Sequence, residues 1–207
     1  MTNYIEILDA TARQLNNIIK AEPDAVPMET PEYGWENHRY SSPRYRLAHV
    51  EIFNQDRFMV VHTCVFPHAN DPAPIFGFDV IAGEHKVTGV FLDLSPTVRE
   101  PGRFHELRFK MQRERPEWGG IFSQNWIACR PDKEEMMLII AEAQRLLKRY
   151  LTEIVGKEVA DPAGIIAGQN RYCEQQRKNE HTYKALKNLI GERSARQFMD
   201  EILFPTI

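Results

Sequence analysis

Between Tyr45 and Leu94 the chain repeats one pattern: a short apolar run, then a brief polar break. The runs Tyr45–Phe53, Phe58–Phe66, Ile75–Ala82 and Lys86–Leu94 are rich in Val, Ile, Phe and Thr. They are too short for core helices and read as strands. The breaks Asn54-Gln55-Asp56 and Gly83-Glu84-His85 leave no room for a crossover, so they join antiparallel neighbours. Whatever else the chain does, it must cover both faces of an antiparallel sheet.

The flanks supply the cover. Ile5, Leu8, Leu15, Ile18 and Ile19 recur at helical spacing from about Tyr4 to Lys20, and Pro23 and Pro27 stop that helix. A polar loop is expected next, through Gly34 and Pro43. After a polar stretch from Ser95 to Glu117, Trp118-Gly-Gly-Ile-Phe opens a further expected strand that runs to about Cys129. Pro131-Asp132 starts a helix whose buried stripe is Met136, Ile139, Ile140, Leu147, Tyr150, Leu151 and Ile154, ending at Gly156. A second helix is expected from Asp161-Pro162 to about Ile190, stopped by Gly191 and followed by a short amphipathic tail helix. Helix, strand block and helices predict an α+β domain, a three-layer α/β/α sandwich with a central antiparallel sheet flanked by helices. At 207 residues we expect one domain spanning 1–207.

Bulk properties narrow the function. A formal net charge of -3 gives no basic excess for nucleic acid. The N-terminus lacks the basic start and apolar core of a secretory signal, and no apolar run is long enough to span a bilayer. A cytoplasmic protein with no membrane partner is expected. Cys64, Cys129 and Cys173 show no paired spacing, so they read as reduced, mostly buried thiols with no metal. Neither a GxGxxG turn nor a Walker-type loop is present, so a dinucleotide or ATP has no usual anchor.

The strand block carries titratable groups in apolar company: His49 and Glu51, His62, and Asp79 beside Phe76 and Phe78. Strand alternation puts His49 and Glu51 on one face, and antiparallel neighbours can bring His62 and Asp79 to the same side. Poorly solvated groups of this kind become coupled proton donors. The bland alternative is a set of satisfied core or edge residues, although a buried aspartate is costly unless paired. On the late helix, Ile165, Gln169, Tyr172, Gln176, Asn179 and Tyr183 follow steps of four and three. That face is polar and aromatic, suited either to solvent or to a large, flat, hydrogen-bonding ligand. Arg171, Arg177, Lys178, Lys184 and Lys187 either solvate this helix or steer an acidic partner.

The ordered runs Pro74-Ile-Phe-Gly-Phe-Asp-Val-Ile-Ala-Gly, Leu92-Asp-Leu-Ser-Pro-Thr, Trp118-Gly-Gly-Ile-Phe-Ser and Tyr172-Cys-Glu-Gln-Gln-Arg-Lys-Asn resemble the motifs of ferredoxin-dependent bilin reductases, from about Tyr45 onward. The resemblance implies an α/β/α sandwich that holds biliverdin IXα between the sheet and the C-terminal helices. It implies no bound flavin, nicotinamide or metal, and single electrons delivered by a transiently bound, reduced [2Fe-2S] ferredoxin. A monomer is expected. By match to the phycocyanobilin-forming branch, Asp79, His62 and Glu51 take the catalytic proton-transfer roles, with His49 accessory to the glutamate. Arg113 matches an arginine that contacts a propionate, Thr88 stands where relatives carry serine, and Tyr172, Gln176 and Asn179 match the helix over the pigment. Glu180 stands where the family has aspartate, and His181 where it has lysine. The implied reaction is four-electron reduction of biliverdin IXα to phycocyanobilin through a bilin radical. The alternatives are phycoerythrobilin as product, or a non-catalytic bilin carrier on the same fold.

Overall fold

A computed structural model of the chain describes residues 3–55, 57–98, 114–117 and 119–207. Helix α1 (Tyr4–Lys20) has the bounds its apolar spacing predicts. Its first turn is capped by Asn3, whose side chain accepts the Ile5 N–H, and it buries Leu8, Thr11, Ala12, Leu15 and Ile19. Seven strands follow among the described residues: β1 (Val26–Pro27), β2 (Glu36–Ser42), β3 (Tyr45–Gln55), β4 (Phe58–Pro67), β5 (Ile75–Gly83), β6 (Val87–Ser95) and β7 (Ile127–Cys129). They lie in one antiparallel sheet in chain order, so every sheet neighbour is also a sequence neighbour. The three-layer sandwich is thus the architecture observed.

Three local expectations need correction. The stretch expected as a polar loop before Pro43 contains β2, because Glu36-Asn-His-Arg-Tyr-Ser-Ser pairs along β3 from Glu36 opposite Ile52 to Ser42 opposite Tyr45. The strand expected from Trp118 shrinks to β7, and Gly119–Ile121 forms a tight 3₁₀ turn. Its backbone groups are taken by side chains instead of a strand. Arg115 donates to the carbonyls of Gly119, Phe122 and Ser123, and buried Asp93 on β6 accepts from the Ser123 N–H and hydroxyl. The single late helix is two, α3 (Ala163–Gln176) and α4 (Glu180–Ile190), since the Asn179 side chain accepts the N–H groups of His181 and Thr182 and restarts the helix. A short α5 (Glu192–Gln197) then widens into a π-type turn over Phe198–Leu203.

Two apolar cores flank the sheet. On one face α1 and α2 (Lys133–Arg149) bring Leu8, Leu15, Met136, Ile139 and Leu147 against Val50, Val61, Phe78, Val80 and Val90. Asp132 and Glu135 cap α2 reciprocally. On the other face Tyr172, Leu186, Phe198, Met199 and Ile202 meet Leu47, Cys64, Phe66 and Ile75. α3 lies very close to the backbone that leaves β6, because Gly168 rests against Thr97, where any Cβ would collide with the Thr97 carbonyl.

Candidate active site

Register, set by consecutive hairpins, builds the site. Asn37 of β2 lies opposite Glu51 of β3, Glu51 opposite His62 of β4, and His62 opposite Asp79 of β5. Four strands thus contribute one cross-strand row, and side chains directly opposite one another are in contact range. A parallel row beside it carries Arg39, His49, Cys64, Gly77 and Asp93. By alternation both rows project to the face covered by α3, α4 and the C-terminal segment.

The contacts within the row are short. His62 Nδ1 donates to Asp79 Oδ1 at 2.5 Å, a charge-assisted bond. The Trp35 indole N–H donates to Glu51 Oε1 at 2.8 Å. His49 bonds Asn37 Oδ1 through Nε2 at 3.0 Å, and its ring stands 5.7 Å from that of His62. The ring of Phe204 lies 6.1 Å from His62 on the covering side. His49 Nδ1 and His62 Nε2 are buried with no hydrogen-bond partner among the described residues. Exposure falls between Asp79 and the rest of the row. The side chain of Asp79 is 35% exposed and that of His62 only 9%, and Glu51 is as buried as His62.

The electrostatics follow from that burial. Burial lifts the Glu51 carboxyl to about 7, with His62 and the Trp35 N–H holding it back and Asp79 adding to the rise. For His62, burial disfavours the charge, but the field and hydrogen bond of Asp79, helped by Glu51, outweigh it and raise the imidazole. Burial pushes His49 well below the usual histidine range, and His62, Arg39 and His38 push it further, so this ring is neutral. The site therefore holds a carboxyl that protonates near neutral pH, a histidine biased toward imidazolium and a histidine held neutral.

The remaining expected residues sit around this row in different ways. Tyr172 is buried on α3, with its hydroxyl 3.7 Å from where a Cβ on Gly77 would stand, and Gln176 Nε2 donates to that hydroxyl at 3.0 Å. Asn179 spends its side-chain oxygen on the α4 cap. Glu180 is exposed and paired with Lys184 at 2.8 Å. Thr88 is exposed and donates to the Ile81 carbonyl at 3.0 Å. Arg113 lies outside the described residues. Trp35 and Asn37 escaped the sequence reading, and their signal was the period-two series Trp35, Asn37, Arg39 inside a stretch taken for a loop. Arg46 was also missed. Its guanidinium lies over Phe66 and donates to Gln169 and to the Pro205 carbonyl, tying β3 to α3 and the chain end.

A sequence family described as ferredoxin-dependent bilin reductase matches residues 20–205. The chain belongs to the ferredoxin-dependent bilin reductases. Curated relatives agree. Phycocyanobilin:ferredoxin oxidoreductase from Synechococcus sp. is 30% identical over 185 residues, covering 82% of this chain and 75% of the relative. The protein of that name from Trichodesmium erythraeum is 24% identical over 184 residues, with the same coverage. Among solved structures, PcyX superposes with a TM-score of 0.70 at 25% identity, over 97% of this chain and 99% of that one. Tomato phytochromobilin synthase in complex with biliverdin shares the fold at a TM-score of 0.69 and 14% identity, over 97% and 82% of the two chains. This bilin reductase is accordingly an oxidoreductase that takes its electrons from ferredoxin. No helix among its described residues is long and apolar enough to cross a membrane.

Proposed function

We propose that this bilin reductase converts biliverdin IXα to phycocyanobilin, adding four electrons from reduced ferredoxin and four protons in alternating steps through a bilin radical. The observation that carries the reading is the Glu51–His62–Asp79 row on one sheet face, with Asp79 half-buried and the other two buried. Electrons arrive singly from an outside partner, so the protein's own task is proton supply at chosen positions. The partly exposed Asp79 takes protons from solvent, and the Asp79–His62 pair passes them to the substrate carbonyl region. Glu51, which protonates near neutral pH, supplies the D-ring vinyl group. His49 lies beside Glu51, while Tyr172, Gln176 and Asn179 face the pigment from the helical side. Arg113 pairs with a propionate, Thr88 offers its hydroxyl, and Glu180 is a further substrate-binding residue. Ferredoxin docks transiently, and the protein works as a cytoplasmic monomer of one domain without a bound cofactor.

Anaerobic turnover of biliverdin with a ferredoxin-reducing system, followed by chromatography of the pigment, tests this directly. Phycocyanobilin is expected from the native chain, and a partly reduced intermediate from Glu51→Gln. Phycoerythrobilin from both proteins would replace the proposed product with its alternative. Bound but unreduced biliverdin would make the chain a carrier.

A further inference from the structure

Trp35 grips the row twice, once with its side chain and once with its backbone. Its indole N–H donates to Glu51 Oε1 at 2.8 Å, and its carbonyl accepts Asn37 Nδ2 at 3.2 Å. A carbonyl oxygen only accepts, so the amide atom facing it is nitrogen, and Asn37 Oδ1 is the atom 3.0 Å from His49 Nε2. An oxygen acceptor there requires the proton on Nε2 of the neutral ring. His49 Nδ1 is then a buried lone pair with no partner among the described residues. The indole is clamped by edge contacts with Phe53 at 5.6 Å and Phe198 at 5.2 Å, and it lies 5.8 Å from Tyr33. The donor to Glu51 is therefore fixed in direction.

We propose that Trp35 and Asn37 are positioning residues for proton delivery: Trp35 fixes the charge and aim of Glu51, and Asn37 locks His49 in its Nε2–H tautomer with Nδ1 free to accept. The inference rests on the reading above for the task of Glu51. The other charged or titratable groups beside these residues are Arg39 and His38 from β2, His62 and Cys64 from β4, Asp79 from β5, and Tyr33 against the indole. The tail adds Glu201, whose carbonyl Arg39 bonds. None of these donates a hydrogen bond to Glu51 in place of the indole.

Trp35→Phe keeps an aromatic ring against Phe53 and Phe198 and deletes only the donor. A carboxylate that loses one hydrogen-bond donor becomes harder to ionise, by about one pH unit. The protonated Glu51 carbonyl band in the infrared, assigned by its loss in Glu51→Gln, should titrate about one unit higher in Trp35→Phe. The alkaline limit of the second reduction should move with it. In the native protein the Trp35 indole N–H resonance should shift downfield as Glu51 ionises, with the same midpoint, a reading that needs no variant. Nitrogen-15 spectra of the histidines should show His49 protonated on Nε2 alone, and Asn37→Ala should mix the tautomers. An unmoved Glu51 midpoint, an indole resonance indifferent to pH, or mixed His49 tautomers in the native protein would overturn the proposal. The spectra need no pigment, so a product other than phycocyanobilin leaves them standing.

Discussion

Met59, Val61 and Val65 leave β4 toward α1 and α2, whereas His62, Cys64 and Phe66 leave the same strand toward α3 and the tail. The first set is sealed by Leu8, Leu15 and Ile19, each fully buried. The second meets aromatic rings, and buried ring nitrogens on His49 and His62 have no partner among the described residues. Alternation lets one strand serve two purposes: one face supplies cohesion, while the other holds groups that an ordinary core would exclude. Buried ionisable pairs are often no better for stability than apolar residues of the same volume. Among the described residues, the His62–Asp79 pair lies on the face covered by α3 and the tail, which marks that face as shaped for chemistry.

The sharpest way to break this contrast is to alter one residue on each side. Asp79→Asn removes the charge that supports His62 and should lower biliverdin turnover by about a hundredfold or more, measured by pigment absorbance, while the melting temperature changes little. Equal losses of stability and turnover would erase the division of labour. Leu15→Ala is the counterpart, opening a cavity worth about 2–5 kcal/mol in denaturant unfolding without changing the identity of the product.

The pH dependence of stability sharpens the contrast further. Glu51 ionises near 4.5 when unfolded and near 7 in the fold. Its protonated form therefore stabilises the fold fully below about 4.5, and that contribution disappears as pH rises through 7. His62, also raised, loses its contribution as pH rises through its folded value. His49, lowered, works in the opposite sense, its contribution being fully present above 6.5 and lost as pH falls from there through its lower folded value. Glu51→Gln should flatten the decline between pH 4.5 and 8 by up to roughly 3 kcal/mol, read from urea midpoints across that range. An unchanged slope would mean that the carboxyl is better solvated than its burial indicates. The smallest expected effect belongs to the covering layer. Asn179→Ala removes the α4 cap and should cost about 1 kcal/mol, with a weakened hold on biliverdin if α4 seats the pigment.

The cohesive face was the easier one to read from sequence. The α1 bounds and the starts of β3, β4 and β5 follow from apolar spacing alone, because aliphatic periodicity reports burial directly. β2 was hidden because its outer side is paired only by the two-residue β1, at Tyr40 and Ser41, so the strand tolerates Glu36, Asn37, His38 and Arg39, which carry no apolar signal. The break between α3 and α4 was hidden because it contains neither glycine nor proline. Asn179, readable as a cap only after the break is known, does the work. In the site, His49 and Glu51 were accessible from parity and a short turn to β4, and Asp79 from its place on the next antiparallel strand, across the longer 68–74 connection. Trp35, just before β2, and Asn37 within it were lost with that strand, which shows that polar strands near a sheet edge are where sequence reading surrenders functional detail.

The meander itself has an evolutionary corollary. Because the sheet runs in chain order, the groups from Asn37 to Asp79 occupy one continuous stretch of the chain, while the elements that cover them lie outside it. Recombination at the Gly34 and Gly83 turns would move the whole proton-handling cassette between relatives in a single exchange, leaving the recipient's helices to decide how a pigment is seated.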